Sequence, residues 1–160
     1  MKRMALVFIL LGSLVIHGCG FHLRGDIAMP ALFDKVLLID QGVPDFVRPL
    51  QRALIENQVK IVQSPQSATA IITLLSKGKN RRAVAIRGQE VKEYELQISV
   101  AFAVQDAKGK QQGNTQTVTS VRRYSYNSNR VLGSENEEAI LSAEMREDIV
   151  QQIMRRLSKF

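Results

Sequence analysis

Cys19 has the clearest chemical potential in the chain, because it is the single cysteine among 160 residues. It stands directly after Gly18, just beyond an apolar N-terminal run that covers residues 4–16. With no second cysteine, the chain has no partner for an intramolecular disulfide. A free thiol is also unusual in the oxidising compartments outside the cytoplasm. The position and isolation of Cys19 therefore favour a covalent modification of its thiol.

The residues before Cys19 predict export. Lys2 and Arg3 form a short positive region ahead of the apolar run. The run is shorter than the roughly 20 residues that a membrane-spanning helix needs, and it fits the apolar part of a secretory signal. An uncleaved N-terminal helical anchor is the alternative.

Residues 16–19, Ile-His-Gly-Cys, resemble the bacterial lipobox, although His17 departs from the small residue usual at its position. The resemblance implies that residues 1–18 are a lipoprotein signal peptide, which is removed. Cys19 then carries an S-diacylglycerol and an N-palmitoyl group. One acyl chain anchors a protein only marginally, whereas several on one cysteine hold it firmly. Gly20 stands where an aspartate would imply retention in the inner membrane, so lipid anchoring at the periplasmic side of the outer membrane is expected.

Residue types suited to catalysis are scarce after Cys19. His22 is the single histidine of residues 19–160 and lies beside the expected anchor. Glu93 and Glu95 share one face of a predicted strand, where a solvated or partner-facing role is expected. An envelope-polymer enzyme that uses either glutamate as acid or base is the alternative. No residues have metal-ligand spacing and no glycine-rich loop opens a helix, so we predict no enzyme activity, metal or cofactor.

Positive charge is the feature that stands above an ordinary composition. The formal net charge is +7, and residues 57–89 contain no acidic side chain. The cations in and near this stretch are Lys60, Lys77, Lys79, Arg81, Arg82, Arg87 and Lys92, followed by Arg122, Arg123 and Arg130. Arginine binds phosphate bidentately and lysine binds it as a point charge, so the stretch predicts either an anion site or a solvated basic hairpin loop. Because export is predicted, the expected anion is lipopolysaccharide (LPS) rather than nucleic acid.

Apolar periodicity places these residues on helices and strands. In residues 93–105, large apolar side chains alternate with polar or small ones, which predicts a long strand with one buried face. Residues 106–109 predict a turn, and residues 115–126 a return strand. Residues 135–158 predict a helix that begins with a capping box at Ser134.

The other predicted elements are shorter: strands at 35–40 and 69–76, and a helix at 46–57. Residues 83–87 either continue the second of these strands or do not, and residues 59–62 suit a loop or a strand. The regular part of the first helix is expected to begin near Arg48 or Pro49, and Asn57 is expected to end it in a left-handed conformation. Together these elements predict a single α+β domain over residues 19–160, with helices packed on one face of a sheet. The other sheet face is polar and is available to solvent or a partner.

Residues 19–25, Cys-Gly-Phe-His-Leu-Arg-Gly, resemble the start of mature chains in the LPS-assembly lipoprotein family, LptE. The resemblance implies a two-layer sandwich with two helices on one face of a mainly antiparallel four-stranded sheet. It also implies that the protein binds LPS, plugs the lumen of an LptD-type outer-membrane β-barrel, and helps to pass LPS to the outer leaflet. A general outer-membrane lipoprotein scaffold is the alternative.

The resemblance also points to one binding residue. Basic residues near a strand tip contribute to LPS binding in the family, and Arg87 is the matching position here. We add Lys79, Arg81, Arg82 and Lys92 to the predicted LPS site from their charge alone.

Overall fold

The computed structural model describes residues 27–126 and 131–160, so the predicted signal peptide, Cys19, His22 and Arg130 lie outside the described residues. Within the described ranges, no helix combines the length and apolar character that crossing a bilayer requires. The elements follow in this order: a 3-10 turn at Ala31–Phe33, β1 (Lys35–Asp40), α1 (Pro44–Glu56), β2 (Lys60–Ile61), a 3-10 turn at Pro65–Ser67, β3 (Ala70–Arg87), β4 (Glu90–Asp106), β5 (Gln116–Ser125) and α2 (Val131–Leu157).

One mixed sheet holds the strands in the order β2-β1-β3-β4-β5. β3, β4 and β5 form an antiparallel meander, whereas β1 pairs in parallel with both β2 and β3. The predicted α+β class is confirmed, but the sheet has five strands instead of four. The added strand is the two-residue β2 at the edge. It is held by backbone hydrogen bonds from Lys60 and Val62 to β1 and the residue before it, which a short apolar stretch does not reveal.

Both helices pack on one face of the sheet, and the core lies between the two layers. Its large, fully buried side chains include Phe46, Leu50, Leu54, Ile72, Leu74, Leu96, Phe102, Met145, Ile149 and Ile153. The alternation predicted for β4 is confirmed, because Leu96 and Phe102 are buried while Gln97 is exposed. The opposite sheet face carries exposed polar side chains and a small apolar cluster centred on Leu37 and Ile71.

α1 begins at Pro44 and continues through Pro49. The expectation that its regular part begins near Arg48 or Pro49 is therefore wrong. A proline inside a helix costs about 3 kcal/mol, because it removes a backbone hydrogen bond and crowds the preceding turn. The buried stripe of Phe46, Leu50 and Leu54 offsets that cost by packing against the core.

The end of α1 also differs from the prediction. Asn57 has a φ of −96°, and the left-handed residue is Gln58, with a φ of 65°. The backbone N–H groups of Gln58 and Val59 donate to carbonyls one turn back, as in a Schellman motif. Asn57 instead uses its side chain, whose Oδ1 accepts a hydrogen bond from Ile27 N at 2.8 Å. The helix end thereby fixes the position of the preceding N-terminal segment.

α2 begins at Val131, before the predicted start, so Ser134 lies inside the helix and the predicted capping box is wrong. Apolar periodicity marks the buried part of a helix, and nothing in residues 131–134 forbids helical backbone ahead of it. The four-residue spacing of Met145, Ile149 and Ile153 is confirmed as the buried stripe.

β3 is one strand of 18 residues, so the basic segment 77–82 is strand and not the solvated hairpin loop considered above. A β-bulge at Leu75 inserts one extra residue into this strand relative to β4. Side-chain alternation reverses at a bulge of this kind. Lys77, Lys79 and Arg81 therefore lie opposite core-facing residues of β4 and project toward the helices.

Candidate anion-binding hairpin

The β3–β4 hairpin carries the basic residues that were predicted to bind LPS. The turn Gly88-Gln89 joins its strands, and Gly88 has a φ of 65°, which glycine accepts without strain. β5 pairs with β4 only as far as Glu93, so the tip beyond this point has no third strand. The predicted residues Lys79, Arg81, Arg82, Arg87 and Lys92 all lie on this hairpin, but on different faces and at different heights.

Glu138 of α2 neutralises much of the charge on the helix-facing side of the hairpin. Lys79 Nζ donates to its Oε1 at 2.8 Å, and Arg81 Nη1 donates to its Oε2 at 3.1 Å. Tyr124 Oη also donates to Oε2, at 2.8 Å. The hydrogen bond from Lys79, with help from Tyr124 and Arg81, lowers the pKa of Glu138 to about 2 against the opposing effect of partial burial. Glu138 is therefore ionised at neutral pH and occupies these cations.

An aromatic cluster holds Arg81 further in place. The rings of Tyr94 and Tyr124 stack with centroids 5.9 Å apart, and Tyr126 meets Tyr94 edge-on at 5.1 Å. The guanidinium carbon of Arg81 lies 4.6 Å from the centroid of Tyr94, within the range of a cation–π contact. Burial raises the pKa of Tyr124, so its hydroxyl remains a donor to Glu138. The contacts of Glu138 with Lys79, Arg81 and Tyr124 therefore fasten the hairpin to α2, and we name them the hairpin–helix lock.

The outer face has a different arrangement, with one carboxylate between two arginines on three adjacent strands. Glu95 of β4 lies in register with Arg82 of β3 and Arg123 of β5. Arg82 Nη2 lies 2.6 Å from Oε1 of Glu95, and Arg123 Nε lies 3.0 Å from Oε2. The hydrogen bonds from Arg82 and then Arg123 hold the pKa of Glu95 below its usual range. We name these three residues the Arg-Glu-Arg ladder.

Exposure shows which groups of the ladder can meet a ligand. The Glu95 side chain is 9% exposed, whereas each arginine side chain is 65% exposed. Since Glu95 lies on the sheet face away from the helices, the two guanidinium groups themselves cover its carboxylate. The ladder therefore presents two oriented guanidinium groups to solvent, with a net positive charge.

The hairpin tip combines charge with apolar surface. Lys92 pairs with Glu90, and Arg87 forms no ion pair with any other described residue. Ile86, beside Arg87, is a large and exposed apolar side chain. Arg87 is therefore the predicted site residue whose charge is most available.

Sequence reasoning missed two partners that decide which cations are available. It did not single out Glu138, and it did not join Arg123 to Arg82. The alternation of β4 already placed Glu95 on the outer face, so the cross-strand register was the missing information. In residues 27–126 and 136–160, no group of His, Cys, Asp or Glu side chains is arranged to hold a metal ion.

Comparison with known proteins assigns the chain to a family. A family model described as LptE, lipopolysaccharide-assembly, matches residues 35–157. An LPS-assembly lipoprotein LptE of Pectobacterium atrosepticum is 32% identical over 152 residues, which cover 92% of this chain and 80% of that protein. One of Yersinia enterocolitica is 30% identical over 161 residues, which cover 97% of this chain and 75% of that protein.

Solved structures share the fold. Lipoprotein B from Nitrosomonas europaea aligns with a TM-score of 0.74 and 27% identity, covering 87% of this chain and 90% of that chain. A minor lipoprotein from Acinetobacter baumannii has the same fold, with a TM-score of 0.68, 24% identity, and coverage of 81% and 94%. Because the family model spans most of the described domain and the Pectobacterium relative matches nearly the whole chain, this protein belongs to the lipopolysaccharide-assembly lipoprotein family, LptE.

Proposed function

We propose that this chain is an outer-membrane lipoprotein that binds LPS and assembles with an LptD-type β-barrel, in whose lumen it forms a plug. Residues 1–18 are removed, and acylated Cys19 anchors the domain at the periplasmic side. The protein acts by binding and positioning, without catalysis, and delivers LPS to the outer leaflet together with the barrel. Membership of the LptE family supports this assignment, and the oriented arginines of the outer face are the single observation that carries the LPS site.

The Arg-Glu-Arg ladder suits a phosphorylated glycolipid. Arg82 and Arg123 each bind the Glu95 carboxylate through one side of the guanidinium group. Their other N–H groups remain for an external phosphate. Guanidinium binds phosphate in a bidentate geometry, and prior orientation lowers the entropy lost on binding. Glu95 therefore acts as a positioning residue for the two arginines.

The tip extends this site. Arg87 supplies a further cation, and exposed Ile86 gives an apolar contact suited to the acyl part of an amphiphile. Lys79 and Arg81 contribute less, because Glu138 and Tyr94 already bind them. We thus rank Arg82, Arg87 and Arg123 above the remaining cations of the hairpin.

The polar sheet face supports the proposed place of the protein inside a barrel. Gln97, Thr117 and Thr119 are exposed on the face away from the helices. Polar side chains of this kind exchange water for hydrogen bonds with the polar interior of a barrel at little cost. The sheet face can therefore be covered by a partner without exposing the core.

The LPS site is tested by a double substitution, Arg82→Gln with Arg123→Gln. Loss of two charge-assisted phosphate contacts should weaken LPS binding about tenfold or more. The matched control, Arg48→Gln with Arg52→Gln, removes the same charge from exposed positions on α1 and should bind LPS as the unaltered protein does. Equal LPS affinity of both double variants would place the site elsewhere.

The partner is tested by purification of the acylated protein from outer membranes in several mild detergents. A large β-barrel protein should elute with it, and mass spectrometry of the mature N-terminus should show acylated Cys19. Elution of the protein alone in every detergent would refute the plug assignment, and an intact Met1 would refute the anchor.

A further inference from the structure

The end of the domain opposite the hairpin tip brings the N-terminal segment and the C-terminus together. Ile27 N donates to Asn57 Oδ1 at 2.8 Å, which ties the first described residue to the end of α1. The ring of Phe33 packs edge-on against that of Phe160, with centroids 5.9 Å apart. β1, β2 and β3 all begin at this end, which we name the basal end. β3 runs from there to the tip, roughly 55 Å at 3.3 Å per residue.

Cations gather at the basal end and outnumber the carboxylates there. The exposed cations, named the basal cations, are Lys35, Lys60, Lys108, Lys110, Arg155, Arg156 and Lys159. The carboxylates in the same region are Asp34, Glu56, Asp106 and the C-terminus. Asp106 is engaged locally, because its Oδ1 accepts the backbone N–H groups of Lys108 and Lys110.

The basal cations differ from those of the hairpin in their pairing. None of them forms an ion pair with another described residue, whereas Lys79, Arg81, Arg82 and Lys92 of the hairpin all do. Arg156 Nη1 donates a hydrogen bond to the neutral Gln116 Oε1, at 3.3 Å. Stabilising the fold therefore does not account for the positive charge of the basal end.

Three of the basal cations line one open cleft. The cleft has a volume of about 800 Å³ and lies between the end of α2 and the start of β5, with Arg155, Arg156 and Lys159 in its wall. Gln116, Gln152 and Ser158 add hydrogen-bonding groups to the same wall. A cleft of this size, lined by cations and polar groups, accommodates a phosphate-bearing headgroup.

Chain length places this end near a bilayer if Cys19 carries the anchor, an argument that rests on the proposed function. Only eight peptide steps separate Cys19 from Ile27, a reach of at most about 29 Å. The basal end is thus the part of the domain that stays closest to the membrane surface.

We infer that the basal cations bind the anionic phospholipid headgroups of the leaflet that holds the lipid anchor. Basic groups near an anionic surface strengthen membrane attachment, and an acyl anchor combined with a basic patch is a recognised two-part attachment. Contact along the whole basal end, in addition to the lipid anchor at Cys19, fixes the orientation of the domain. The hairpin then points away from that leaflet.

The test uses the mature chain, residues 19–160, with Cys19→Ser so that no acyl group contributes. Sedimentation with vesicles of phosphatidylcholine, with and without phosphatidylglycerol, measures binding. The protein should bind the anionic vesicles, and high salt should release it. Arg155→Gln with Lys159→Gln should weaken partitioning about fivefold per charge removed. Absence of binding to the anionic vesicles would overturn the inference.

The matched control is again Arg48→Gln with Arg52→Gln, which removes equal charge from the side of α1. This variant should partition as the Cys19→Ser parent does, and circular dichroism should show both double variants folded. Equal weakening by both pairs would mean attraction by net charge alone and would refute a basal site. The assay contains no LPS and no barrel, and the protein carries no acyl group, so its outcome is independent of the LPS-binding and purification tests.

Discussion

Glu138→Gln is the substitution that most directly tests the hairpin–helix lock. It keeps the shape of the side chain but removes the charge that accepts hydrogen bonds from Lys79, Arg81 and Tyr124. The amide cannot accept from all three donors, because one of its two terminal groups is itself a donor. We therefore expect lower stability, with the loss confined to conditions in which the wild-type carboxylate is ionised.

The magnitude follows from the pKa of Glu138, which the Lys79 hydrogen bond and its neighbours lower to about 2. Lowering the pKa from its ordinary value of 4.5 to about 2 corresponds to about 3 kcal/mol of folding free energy in the absence of solvent screening. Water screens part of this electrostatic stabilisation, because the Lys79 and Arg81 side chains are 43% and 50% exposed. We expect a loss of about 1–2 kcal/mol at pH 7 after that reduction.

The pH dependence has a defined sign. The folded-state pKa of Glu138 is below the unfolded value, so its contribution is complete above about pH 4.5 and is lost as the pH falls toward about 2. Urea unfolding of the lipid-free mature chain, followed by circular dichroism, measures the free energy of unfolding at each pH. The difference between wild type and Glu138→Gln should narrow steadily below pH 4.5.

The matched control is Glu137→Gln, one residue earlier on the same helix. Glu137 is exposed and forms no ion pair with other described residues, so its substitution should change stability by less than about 0.5 kcal/mol. The reasoning fails if the two variants are equally stable at pH 7, or if the Glu138→Gln difference persists unchanged at low pH.

Three further predictions concern the scaffold, each measured as the free energy of unfolding in urea. Ile153→Ala should cost about 2–5 kcal/mol because Ile153 is buried, whereas exposed Ile140→Ala should cost under about 0.5 kcal/mol. Gln58→Gly should stabilise the fold by about 0.5–1 kcal/mol, because glycine adopts the left-handed conformation of this position without steric strain; a lower free energy of unfolding would contradict this account. Gly88→Val should destabilise by about 1–3 kcal/mol, and clearly more than Gln89→Val, because Gly88 has a positive φ.

Much of the fold was predictable wherever side-chain periodicity reports burial directly. The alternation in β4 and the four-residue spacing in α2 both follow from a single covered face. β3 was harder, because Lys, Gly and Asn in residues 77–80 disfavour strand on their own. Pairing with β4 overrides that local preference, and the pairing partner is not visible in the periodicity of β3.

The candidate site was predictable as a set of basic residues but not as an arrangement. Net charge and the acid-free stretch indicated the hairpin, since they require only composition. Which cations remain available depends on Glu138, which meets Lys79 across 59 residues of sequence, and on the register of Glu95 with both neighbouring strands. Long-range placement of single carboxylates carries no local pattern, so only the three-dimensional fold reveals it.

The bulge at Leu75 has a consequence for comparing relatives. Upstream of it, even-numbered side chains of β3 face the helices, and from Leu75 to the next register shift, at Val84, the odd-numbered ones do. A homologous chain with the same lysines and arginines but without this one inserted residue would present the opposite set of the cations in residues 77–82 to its ligand. Conservation of charge within an alignment is therefore insufficient evidence of a shared binding surface, and the inserted residue must be conserved with it.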